Sequence, residues 1–191
     1  MELQKINVKF FAADPHNPPL TDFIDLFHGW IQATDGIYHD VADYSHMRAG
    51  PGIVLVAHEA NVSIDETDNR RGLLYSWKTR LLGSNQERLR HVCRAALENC
   101  LRLEEEPTLR GQLRFLGGEA VISINDRLVA SNTEESFQEI KPEIELLARA
   151  LFGDANFALE RNRDPRQKLS VFIKASRSVD LKQLIRNLQN N

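Results

Sequence analysis

Residues 37–80 read IYHDVADYSHMRAGPGIVLVAHEANVSIDETDNRRGLLYSWKTR, and the fold turns on how this stretch divides. Four segments, IYHDVADY, IVLVA, NVSID and GLLYSWKTR, are rich in β-branched, aromatic and leucine residues, and glycine or polar clusters separate them. That pattern belongs to strands. The Glu59–Asn61 link and the DETDNRR connector are short enough for hairpins, so a meander of three or four antiparallel strands is the simplest arrangement.

Working outward, Ile6, Val8 and Phe10 alternate with Asn7 and Lys9, the period of two of a half-buried strand. Phe23, Ile24, Phe27, Trp30 and Ile31 recur at helical spacing between Thr21 and Gly36, which predicts a helix over about 21–33. Ser84-Asn-Gln-Glu87 is a capping box, in which each side chain satisfies an orphan amide at a helix start. The helix it opens carries the apolar stripe Leu89, Val92, Cys93, Ala96, Leu97, Cys100 and Leu101, and has ended by Pro107. Beyond it, LRFL, a Gly117-Gly118 turn, EAVISI, an Asn125-Asp126 turn and RLVA suggest a three-strand meander. Proline forfeits a hydrogen bond inside a helix, so the next helix is expected to start at Pro142 and close at Gly153. Strands at about 155–161 and 168–175 precede an amphipathic helix bearing Leu181, Leu184, Ile185 and Leu188.

The class implied is α+β: mainly antiparallel sheet(s) built from meanders and hairpins, with about four helices packed on the sheet and hairpin-then-helix recurring as ββα units. A single domain over 1–191 accommodates this, the alternative being a division into 1–107 and 108–191. No stretch approaches the ~20 apolar residues of a membrane span, so no membrane partner is expected. MELQKINVKF lacks the regions of a secretory signal. The two cysteines, Cys93 and Cys100, would lie ~10 Å apart along a helix and cannot bridge each other, which suits a reducing compartment and a cytoplasmic location.

Chemistry-bearing side chains concentrate in HDVADYSHMRAGPGIVLVAHE, which holds three of the six histidines. His39, Asp43, His46, His58 and Glu59 are the candidate metal ligands or acid/base groups, since imidazole and carboxylate together suit zinc, manganese or iron. On a strand His39 and Asp43 lie about 13 Å apart, too far to share one ion. A hairpin loop centred near Met47 or Arg48 instead sets His58 across from Tyr38 with Asp40 diagonal to it, or directly across from His39, according to register. The plainer alternative is a hairpin with ordinary histidine and aspartate hydrogen bonds. Tyr75 and Trp77 share a strand face, either under a helix or open to a partner. Asp65, Glu66, Asp68 and Asn69 lack calcium-loop spacing and read as a solvated turn.

The formal net charge of −3 is unevenly spread, with acids prevailing over residues 1–60 and bases over 161–191. No motif names a cofactor or a common catalytic class. The expected function is a non-catalytic binding or assembly module that self-associates or meets a protein partner. Alternatives are a small metal-assisted or acid/base enzyme at the 37–59 hairpin and, less favoured, nucleic-acid binding through Arg161, Arg163, Arg166 and Lys168.

Overall fold

The stretch expected to form a meander does so: β2 (Tyr38–Tyr44), β3 (Gly52–Ala57), β4 (Ala60–Asp65) and β5 (Gly72–Trp77) pair consecutively, each antiparallel to the last. The structure is a computed structural model that describes residues 1–14 and 16–190. Four further strands extend the meander on its β5 side: β1 (Ile6–Ala12), β6 (Phe115–Ile124), β7 (Phe157–Arg161) and β8 (Leu169–Ala175). Among the described residues all eight strands form one antiparallel sheet in the order β2-β3-β4-β5-β1-β6-β8-β7. β1 thus joins strands drawn from both halves of the chain.

Among the described residues four α-helices accompany the sheet: α1 (Asp22–Ala33), α2 (Asn85–Glu104), α3 (Glu134–Phe152) and α4 (Leu181–Asn190). They pack on the face presented by Ile6, Val8 and Phe10, with α2 over β1 and β5, α1 over β2 and β3, and α3 and α4 over the other end. Strand alternation puts Leu55, Val62, Leu73, Ile122 and Val171 on this face, all buried. Each fully buried aliphatic side chain of this kind contributes roughly 1.5–3 kcal/mol of transfer free energy. The helix ends are specified locally. The α2 capping box forms as expected, with Glu87 N donating to Ser84 Oγ and Ser84 N donating to the Glu87 carboxylate at 2.6 Å. Glu104, Glu105 and Glu106, unfavourable at a helix C-terminus, each find a partner: the Phe115 amide, Lys182 and the Trp30 indole respectively. Both cysteines are free and buried in α2, where burial pushes the Cys93 thiol up to about 12 and Cys100 well above its ordinary range.

Four expectations are corrected. Gly117-Gly118 is no turn, and the proposed second meander is one ten-residue strand, β6. The reason is close packing: a Cβ at Gly117 would sit 1.7 Å from the Val179 carbonyl oxygen, so glycine lets the segment before α4 lie against the strand. RLVA is likewise no strand; the Ala130 amide donates to the Asp126 carbonyl at 2.8 Å in a tight turn. Nor does α3 begin at Pro142. Thr133 caps it, its hydroxyl accepting from the Ser136 amide at 3.1 Å, and Pro142 lies in the helix interior on the exposed face, where the carbonyl it leaves unbonded is reachable by water. The repeated ββα unit therefore fails, because a four-strand meander precedes α2 and a single strand precedes α3.

Candidate functional site

No helix among the described residues packs on the opposite face of the sheet, yet β1 is buried on both sides along its whole length. On that second face lie Asn7 and Lys9 of β1, Asn61, Ser63 and Asp65 of β4, Leu74 and Ser76 of β5, Ser123 of β6, and Ser170 and Phe172 of β8. Asn7, Lys9, Ser63, Asp65 and Ser123 are each less than 8% exposed. A polar face this sunken is unusual, since buried polar groups are costly unless paired.

Its centre is the ion pair between Lys9 and Asp65, which reaches diagonally across β5. Gly72 on β5 makes the crossing possible: a Cβ there would meet the Lys9 Cε at 3.0 Å and the Phe10 carbonyl oxygen at 2.3 Å. Asp65 also accepts from the Thr67 hydroxyl at 2.7 Å and the Thr67 amide at 3.1 Å, so its oxygens are well satisfied. Burial pushes the Lys9 ammonium below the usual lysine range, opposed by the Asp65 charge.

Around this pair the face encloses two adjoining hollows. The first, of about 330 Å³, lies over β1, β6 and β8 between the β4–β5 loop and the β7–β8 loop. One wall is aromatic: Phe11 and Phe172 have centroids 5.7 Å apart, and the Arg70 guanidinium lies 3.7 Å above the Phe11 ring while bonding Glu119 at 2.7 Å. Ser170 donates to Ser123 at 2.9 Å on its floor. The second hollow, of about 610 Å³, spreads toward β2 and β3 over Asn7, Asn61, Val54 and Ser76. The Asn7 and Asn61 Oδ1 atoms are buried without a hydrogen-bond partner among the described residues.

Lys168, in the β7–β8 loop, borders both hollows and is half-buried. Its ammonium has no ion pair or hydrogen bond among the described residues. Burial pushes it below the usual lysine range; Lys9 adds to this and Asp65 opposes it. Six basic residues and three acidic ones line the two hollows, in a chain whose net charge is −3.

The residues anticipated from sequence lie elsewhere. Tyr38 pairs with Ala57 and Asp40 with Val56, so His39 occupies a one-residue bulge and His58 stands opposite neither Tyr38 nor His39. His58 and Glu59 form the β3–β4 turn near the His39 end, whereas Asp43 and His46 lie at the other end of the hairpin, roughly 17–20 Å of strand away. All five are exposed, and the described residues hold no group of three or more His, Cys, Asp or Glu placed to bind a metal ion. Asp40 is exposed, its carboxylate accepting from the Val41 amide at 2.8 Å, and hydrogen bonds from Ser45 hold the exposed Asp43 carboxyl below its usual range. Tyr38 and Tyr75 face the helices, Tyr38 beside Trp30 and Tyr75 raised to about 12 by burial. Trp77 meets His91 of α2 edge-on at 4.9 Å and is the only one of the nine bordering a hollow.

Of the basic C-terminal residues, Arg161 is held by Asn132 and Glu134, and Arg166 by Asp164. Arg161 and Lys168, named from sequence only as nucleic-acid contacts, line the first hollow, whereas Lys9 and Asp65 were missed because Lys9 read as the wet side of a half-buried strand and DETDNRR as a solvated turn. The available signal was the recurrence of Asn, Ser and Lys at alternate positions of several strands, which marks one polar face once the register is known.

These features define a class: a single-sheet α+β protein with helices on one face and a sunken, basic, polar hollow on the other. No family model, curated protein or solved structure matches the chain significantly. No helix among the described residues is long and apolar enough to cross a membrane.

Proposed function

We propose that the protein is a binding module that takes a small anionic molecule into the hollow on the helix-free face of its sheet. The carrying observation is Lys168: a half-buried ammonium that makes no ion pair or hydrogen bond among the described residues, at the junction of two hollows whose lining is basic in an acidic chain. A carboxylate or phosphate group on the ligand supplies the missing partner, and the gain is large because the site is partly desolvated. Phe11, Phe172 and Leu74 offer apolar surface beside the charge, the combination expected of a ligand site. Asn7 and Asn61 add acceptors for N–H or O–H groups at the far end.

Self-association through a sheet edge has weaker support. The outer strand β2 carries a bulge at His39 and exposed carboxylates at Asp40 and Asp43, devices that discourage strand addition. Native mass spectrometry of the purified protein, followed by calorimetric titration with phosphate esters and dicarboxylates, tests the proposal. Saturable binding that Lys168→Glu weakens by tenfold or more supports it. Binding unchanged by that substitution, or no binding across the panel, refutes it.

A further inference from the structure

We infer that Lys168 forms a covalent imine with a carbonyl compound bearing an anionic group, a 2-oxo acid being the smallest member of that class. This rests on the hollow being an anion site and goes beyond it in assigning a bond-forming role to one nitrogen.

Four observations converge on that atom. Lys168 borders both hollows, so a ligand in either reaches it. Among the described residues no carboxylate forms an ion pair with it, unlike Lys9, whose ammonium is occupied by Asp65. The charged residues that line the hollows with it are Lys9, Asp65, Asp68, Arg70, Glu160 and Arg161 in the first and Lys5 and Lys78 in the second. Of these, Arg70 and Arg161 are already paired with Glu119 and Glu134, so the cationic surroundings are fixed and not drawn onto Lys168. Burial and the Lys9 charge favour the neutral amine, while Asp65 and Asp68 oppose them. A lysine desolvated next to another cation is the standard means of making an amine nucleophilic near neutral pH. Third, Arg70 on the aromatic wall offers a second contact for a carboxylate, in line with the role of a fixed guanidinium. Fourth, Phe11, Phe172 and Val121 reduce water access on one side, which favours a reaction that expels water.

The step balances without a co-reactant. The lone pair of neutral Lys168 Nζ attacks the carbonyl carbon, the C–N bond forms, and the carbonyl oxygen gains a proton to become a hydroxyl. That hydroxyl then leaves as water with the one proton remaining on nitrogen, the C–O bond breaking as the C=N bond of the imine forms. Nothing is oxidised or reduced.

The experiment incubates the full chain at pH 7 with pyruvate, or with 2-oxoglutarate for a longer reach, in the presence of cyanoborohydride, which reduces any imine to a stable secondary amine. Intact mass and peptide mapping then locate the adduct. The expected result is one adduct per chain on Lys168, formed at least tenfold faster than on the exposed Lys182, slowed by inorganic phosphate and absent in Lys168→Arg. No adduct with either acid, or adducts spread over surface lysines at similar rates, overturns the inference. Mapping needs only the unaltered chain, so instability of the variant does not obscure the answer. Heat of phosphate binding without any adduct removes the covalent step alone and leaves the anion site standing; absence of both removes both.

Discussion

Lys9 and Asp65, fifty-six residues apart in sequence, form a buried ion pair that crosses over Gly72 on the helix-free face of the sheet. Removing one partner of such a pair strands the other in a poorly solvated place, which costs ~3–5 kcal/mol, whereas replacing both with apolar residues is often nearly neutral. Asp65→Ala is therefore expected to lose ~3–5 kcal/mol in urea denaturation, and Lys9→Met with Asp65→Leu to lose markedly less. Equal losses would mean that the pair itself, and not the orphaned charge, carries the stability.

Lys168 has the opposite character, being an ammonium that the fold partly desolvates without pairing. Its folded-state pKa is lowered below the ordinary 10.5. Between those two values the unfolded chain binds more protons, so this group makes stability rise with pH across that window. Lys168→Met is expected to be more stable than the parent at pH 7, with the advantage shrinking as pH rises through the lowered folded value toward 10.5. Thermal melts of both proteins from pH 7 to 10.5 measure the slope.

Gly117 ties the segment before α4 to β6 by close backbone approach. Gly117→Ala puts a methyl within 1.7 Å of the Val179 carbonyl oxygen, and overpacking of this sort costs ~1–3 kcal/mol or more. Limited proteolysis should open residues 176–190 first, ahead of the meander.

The true start of α3 is testable by two changes of opposite sign. Thr133→Ala should cost ~1 kcal/mol through loss of the cap. Pro142→Ala, at an exposed interior position, should stabilise by up to ~3 kcal/mol. If the helix began at Pro142, the first change would be silent and the second destabilising or neutral.

Local chemistry was legible in the sequence wherever it decided structure alone. The meander over 37–80, the Ser84 capping box and the stripes of α1, α2 and α4 followed from periodicity and caps. Gly117-Gly118 misled because a glycine needed for close approach looks the same as one needed for a turn. Pro142 misled because whether a helix tolerates proline depends on which face it occupies. The candidate site was the least legible part, since Lys9, Asp65 and Lys168 meet only through the long-range pairing of β1 with β5 and of β6 with β8. The 37–59 hairpin does contribute, but through Ala42, Tyr44, Val54 and Val56 in the wall of the second hollow and not through its histidines.

The most direct test of the central claim is a nitrogen-15 NMR titration of the protein with inorganic phosphate and with pyruvate. The account predicts saturable shifts concentrated at Lys9, Thr67, Arg70, Ser123 and Lys168, with His39, His46 and His58 unmoved. Saturable shifts confined to the 37–59 hairpin, or none anywhere, would contradict it.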